Sequence, residues 1–200
     1  MTSIDNWSAT CRDFGALYVT RPDFSKQGIH LSAYLPPEAL LDMAQKLKDE
    51  GFTLLTITTA EFTEGFVVSY LFDSFTESSR LALRVLLKDK EKAKVPSLYS
   101  IYQGAEWHER ESYDFFGLIF EDNPNLVPLL LPHDLAGPPP LRKAAGALSS
   151  LKAINFQGKL EYADPDFPLA PEPQEPAELA TISEAATETG PSSGNNEGGA

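Results

Sequence analysis

The hydrophobic positions of this chain change period several times, and each change marks an element. Gly28–Tyr34 alternates Ile29, Leu31 and Ala33 with His30, Ser32 and Tyr34, which predicts a short strand. After Pro36-Pro37 the period becomes helical, with Leu40, Met43, Ala44 and Leu47 at i, i+3, i+4 and i+7. Proline is tolerated in a first turn, and Gly51 stands where a left-handed cap is expected, so the spacing predicts a helix over 36–50. Three strands are expected next, at Phe52–Ala60, Phe66–Phe72 and Arg80–Lys88. Their connectors, 61–65 and 73–79, are short and polar, so consecutive strands should pair antiparallel. Together these elements predict an α+β two-layer domain. Its antiparallel sheet would have three to four strands, with helices on one face.

Further along, the pattern weakens. Lys88–Lys94 is a solvated charge run. Ser97 is expected to cap a helix carrying Leu98, Ile101, Tyr102 and Ala105, interrupted at Gly104 and continued over 106–116 to end at Gly117. From 118 to 163 regular periodicity is lost, and six prolines fall between Pro124 and Pro140. Each fixes φ and lacks a backbone donor, so an extended segment is expected that wraps its own domain or lies on a partner. The first 27 residues are weakly patterned, with Trp7, Phe14, Leu17, Tyr18 and Val19 as packing points. The expected organisation is a weakly patterned segment over 1–27 and the α+β domain over 28–117. An extended Pro-rich partner-binding segment covers 118–163, and an acidic disordered tail covers 164–200.

Charge changes the picture mainly at that tail. The chain carries 29 acidic against 16 basic residues, a net of −13, which argues against non-specific binding to nucleic acid or an anionic membrane. Residues 164–200 hold eight of the carboxylates, six prolines and no Lys or Arg, leaving the rest at only −5. The tail has too little apolar surface to offset the entropy of ordering, so it is expected to be dispensable. Cys11 is the single cysteine, which excludes an internal disulfide, a four-thiolate iron–sulfur cluster and a Cys-rich zinc site within this chain. No stretch approaches the roughly 20 apolar residues of a membrane span, and Met1–Asp13 has no basic flank. A soluble, intracellular chain is expected.

The densest candidate chemistry lies in Trp107–Gly117. His108-Glu109 opens like the helix of a zinc peptidase, but position 112 is Ser and the second ligand is missing. Glu106–Arg110 and Arg110–Asp114 are both i,i+4 pairs, placing Arg110 between two carboxylates amid Trp107, Tyr113, Phe115 and Phe116. Such crowding suggests a buried hydrogen-bond network or an interface. Glu109 and Glu111 point about 200° apart on a helix and cannot easily share one substrate. Arg142-Lys143 is a basic pair after the prolines, and His133-Asp134 lacks a nucleophile motif. No phosphate loop or dinucleotide fingerprint is present.

Glu109-Arg-Glu-x-x-Asp-x-Phe-Gly117, with Val95-Pro-Ser-Leu98 and Ala105-Glu-Trp-His108 before it, resembles the 30 kDa (C-type) subunit family of respiratory complex I. The likeness continues through Gly117–Phe120, Asn123-Pro-Asn125, Leu129–Pro132, Asp134 and Pro140-Leu-Arg-Lys143. It covers roughly residues 29–143. The resemblance implies a non-catalytic scaffold subunit in the peripheral arm of an NADH:quinone oxidoreductase, supporting electron transfer coupled to ion translocation. It also implies no cofactor in this chain, with iron–sulfur clusters and the NADH, quinone or NiFe centre in partner subunits. Those partners would be the large catalytic subunit and the small iron–sulfur subunit, on the cytoplasmic side of the inner (plasma) membrane. Signature positions carried over are Glu109, Arg110, Glu111, Asp114, Phe116, Gly117, Leu141, Arg142 and Lys143, with roles in fold and interface. The alternatives are the equivalent subunit of an energy-converting [NiFe] hydrogenase, and a free-standing metal-dependent hydrolase using His108 or His133.

Overall fold

The computed structural model describes residues 3–76, 78–135, 137–153 and 158–171. The chain runs α1 (Ser3–Asp13), β1 (Tyr18–Pro22), α2 (Phe24–Gln27), β2 (Leu31–Leu35), α3 (Leu40–Asp49), β3 (Phe52–Phe62), β4 (Gly65–Ser74), β5 (Ser79–Leu87), β6 (Lys94–Pro96), α4 (Ala105–Phe116), β7 (Ile119–Glu121) and β8 (Gly158–Ala163). Single 3₁₀ turns stand at Pro37–Ala39, Ala145–Ala147 and Leu151–Ala153. The main sheet has six strands in the order β3-β4-β5-β2-β1-β8, and β6 pairs with β7 in a small parallel ribbon.

The mixed α+β class stands, and the sheet is larger than the three or four strands expected. All its neighbours are antiparallel except β2 and β5, which run parallel from Leu31↔Leu81 to Leu35↔Val85. The meander β3-β4-β5 turns back on itself, and its last strand inserts beside β2.

One face of the sheet carries the main core. The stripe Leu40, Met43, Ala44 and Leu47 of α3 is fully buried there against Leu31, Leu35, Tyr70, Phe72 and Leu83, together with Trp7 and Cys11 of α1. At roughly 1.5–3 kcal/mol for each large apolar side chain, the α3 stripe alone anchors that helix. The opposite face is covered over Tyr34, Phe62, Val67 and Leu86 by Leu151 and Phe167.

The weakly patterned segment 1–27 carries regular elements: Ile4, Trp7 and Cys11 turn one face of α1 to the core, and β1 pairs with β2 and β8. Two expectations are corrected. Residues 97–104 form turns, and the helix begins only at Ala105. The cause is Glu109, whose carboxylate takes both the Ser97 hydroxyl and the Leu98 N–H and bends the segment back onto α4. Finally, packing continues past residue 163. The Asp164 N–H donates to Leu17 O at 2.8 Å, and the Phe167 ring stacks on Tyr18 with centroids 5.8 Å apart. Met1–Ala170 is one compact unit. Residues 172–200 of the expected acidic tail lie outside the described residues.

Candidate functional site: a carboxylate-stapled strap

Helix α4 lies against β3 and ends on Gly117, where the sequence expects it to stop, with a φ of 75° that makes a left-handed cap. A Cβ there would stand 3.0 Å from Pro139 Cγ, so glycine also lets the Pro-rich segment cross the helix end closely. The buried face of α4 is unusual because it is polar, with Glu109, Ser112 and Asp114 almost without exposure while Trp107 is 64 % exposed.

Glu109 is completely buried and accepts three hydrogen bonds, from Ser97 Oγ at 2.6 Å, Leu98 N–H at 2.8 Å and Asn123 Nδ2 at 2.7 Å. Burial pushes its carboxyl pKa up, against the pull of those three donors. Asp114 does related work further along the helix: its Oδ2 accepts the consecutive N–H groups of Leu129, Leu130 and Leu131 at 2.9, 2.7 and 3.1 Å. The ladder expected around Arg110 is therefore only half formed. Its Nη1 lies 3.6 Å from Glu106 Oε1, but Asp114 is turned away to the strap. Arg110 instead donates through Nε and Nη2 to the carbonyls of Val127 and Pro128, both at 2.9 Å.

Two more carboxylates fasten the rest of the segment. Glu61, 7 % exposed, accepts the Lys143 N–H at 3.0 Å and faces Lys90 Nζ at 3.4 Å. Glu64 accepts Ser150 Oγ, Thr63 Oγ1 and the Leu151 N–H, the last at 2.8 Å. Burial would raise its carboxyl, but these donors hold the pKa down at about 2. Arg142 donates to Lys90 O at 2.9 Å and covers the Phe66 ring at 5.2 Å, while Leu141 N–H reaches Phe115 O at 3.0 Å. Phe116 meets Phe66 edge-on at 6.2 Å.

Eight of the nine expected positions lie within this network, by side chain or by backbone. Glu111 does not; it is exposed on the rim of a cavity with Thr58, Thr59 and Leu141. Sequence reasoning missed Glu61, Glu64, Ser97 and Asn123 as members of the same network. The two carboxylates of the hairpin Glu61–Glu64 were the only hint of the first pair, whereas Ser97 was expected as a helix cap and Asn123 stood within the family likeness. Neither His108 nor His133 enters a metal-holding arrangement: among the described residues no three His, Cys, Asp or Glu side chains converge. Cys11 is buried with its pKa raised to about 12, which leaves it an unreactive thiol.

Residues 33–149 match the family described as the respiratory-chain NADH dehydrogenase 30 kDa subunit. The chain belongs to this family. It is 37 % identical over 144 residues to the C-type subunit of the NADH-quinone oxidoreductase of Roseiflexus sp. (strain RS-1), covering 68 % of this chain and 82 % of that protein. It is 36 % identical over 117 residues to the corresponding subunit of Mycobacterium ulcerans (strain Agy99), covering 54 % of this chain but only 49 % of the longer relative. The fold superposes on the trypsin-resistant fragment of Nqo5 with a TM-score of 0.52 and 26 % identity, over 62 % of this chain and 98 % of the fragment. A chain of an archaeal membrane-bound sulfane sulfur reductase shares the fold with a TM-score of 0.50 at 23 % identity, over 60 % and 71 % of the two chains. As a member of the 30 kDa family the chain is a subunit of an NADH:quinone oxidoreductase-type complex, with that complex's other subunits as partners. Among its described residues no helix is long and apolar enough to cross a membrane.

Proposed function

We propose that this chain is a non-catalytic scaffold in the peripheral arm of a complex-I-type oxidoreductase. It holds the large catalytic subunit and the small iron–sulfur subunit in register on the cytoplasmic side of the membrane, while electron transfer coupled to ion translocation proceeds in its neighbours. The observation that carries this reading is the strap. Buried carboxylates fix an extended segment from which Val127, Leu130, Leu135 and Leu141 stand 41–62 % exposed. Four large apolar side chains held out by a hydrogen-bonded backbone are costly to leave in water, and they fit a permanent protein interface. Iron–sulfur clusters are assigned to the partners, since one buried cysteine offers no thiolate ligand set here, and the nicotinamide and quinone sites are assigned there on the family resemblance alone.

Arg110→Ala removes both carbonyl clamps on the strap. It is expected to lower the yield of assembled complex several-fold while leaving turnover per assembled particle unchanged. Native gels with activity normalised to assembled particles make the measurement. Full assembly with lost turnover would sink the scaffold reading.

A further inference from the structure

Asp114 uses its two oxygens unequally. Oδ2 accepts the N–H groups of Leu129, Leu130 and Leu131. Oδ1 has no hydrogen-bond partner among the described residues and is not sealed from solvent. The residue as a whole is only 6 % exposed, and among the described residues no cation pairs with it. Arg110, one turn earlier on α4, is committed to the carbonyls of Val127 and Pro128 and to Glu106. Buried carboxylates are as a rule paired with a cation. The described part of this chain supplies none for Asp114.

Asp114 lines a cavity of about 250 Å³ between the end of α4 and the Pro-rich segment. Tyr113, Pro128, Leu131 and Pro139 form largely apolar walls, and the exposed His133 stands at the rim. Proline has no N–H, so the proline walls offer the carboxylate no further backbone donor. The cavity is smaller than the roughly 300–1,000 Å³ of cofactor and small-molecule pockets, and its size suits a single side chain. Leu135, which also lines it, and Leu130 are 52 % and 62 % exposed, so the mouth opens on the same surface that the strap presents to a partner.

We infer that this cup receives one lysine side chain of a neighbouring subunit, its methylene stem along the prolines and its ammonium on Asp114 Oδ1. Long basic side chains lay their stems on apolar surface while the charged head stays with a polar group. Arginine fits less well, because its fork docks on a carboxylate through both oxygens and Oδ2 is already taken. A short neutral donor such as serine would leave the charge unpaired and the prolines uncovered. The inference rests on the reading of this chain as a subunit of a larger complex.

Acetylation of the assembled complex with acetic anhydride, read lysine by lysine by mass spectrometry, tests it. One lysine of a neighbouring subunit is expected to react about tenfold more slowly with the parent chain in place, and to recover its reactivity with Asp114→Asn. Asp114→Asn also weakens the hold on Leu129, Leu130 and Leu131, so a pair of rim variants gives an independent reading. His133→Lys offers the cup a cation from this chain and should lose to the parent by about tenfold in competition for entry into the complex, whereas His133→Glu should win. Both changes lie on an exposed residue and should keep the parent's urea midpoint, and the contrast between them should shrink as salt is raised. If no partner lysine is protected, if the protected lysine belongs to a second copy of this chain, or if the two His133 variants compete alike, the lysine cup is overturned and the subunit reading stands. A chain that never enters such a complex overturns both.

Discussion

Glu109 sits with no solvent contact on the inner face of a helix, a position that burial statistics reserve for apolar residues. What makes it tolerable is that both oxygens are claimed by donors from two different loops. Glu109→Gln keeps the shape but turns an amide N–H₂ toward one of those donors. It is expected to cost about 1–3 kcal/mol, read as a lower midpoint in urea unfolding. Glu64 gives a pH signature. Its pKa falls from the ordinary 4.5 to about 2 on folding, so its stabilisation is complete above pH 4.5 and is lost as pH falls toward 2. The stability gap between the parent and Glu64→Gln should therefore be widest at neutral pH and close across that acid window. A gap that stays constant from neutral pH down through that window would refute the assignment.

At the scale of elements, the local elements and the strap obey different rules. The helix α3 and the strands β3, β4 and β5 were legible because each buries one face, and burial of one face imposes a period on the sequence. The strap has no period because its backbone is held by side chains from elsewhere, Asp114 taking three consecutive N–H groups and Arg110 two carbonyls. Proline-rich composition marks the segment as extended without saying where it lies. Its crossing point is set by Gly117. Gly117→Ala forces a side chain into a left-handed φ of 75° and against Pro139 at 3.0 Å. The substitution is expected to cost about 1–2 kcal/mol and to speed proteolytic nicking between 122 and 150. Unchanged nicking would show that the strap does not depend on this crossing. The missed elements have local causes too. In α1 the stripe Ile4, Trp7, Ser8, Cys11 is diluted by a buried serine, and in β8 the exposed Leu160 and Tyr162 give little contrast with Lys159.

For the whole molecule, the boundary at residue 163 matters most. The charge arithmetic places the tail from Asp164 onward, yet Phe167 is 6 % exposed and packs on Tyr34 with ring centroids 5.0 Å apart. Truncation after Ala163 is expected to lower stability by about 3–5 kcal/mol through loss of that ring, whereas truncation after Pro171 should be neutral. Equal denaturation curves for the two truncations would put the boundary back at residue 163. The sequence by itself determined the α+β class, the central helix and three strands, the family signature, and the absence of a thiolate ligand set, because these depend on residue type and short-range period. Only the tertiary structure decided that β5 lies parallel beside β2, that β8 returns to β1, and that Glu61, Glu64, Glu109 and Asp114 act together on one strap. Those pairings join residues far apart in the chain, and the hydrogen bonds that fix them leave no periodic mark along it.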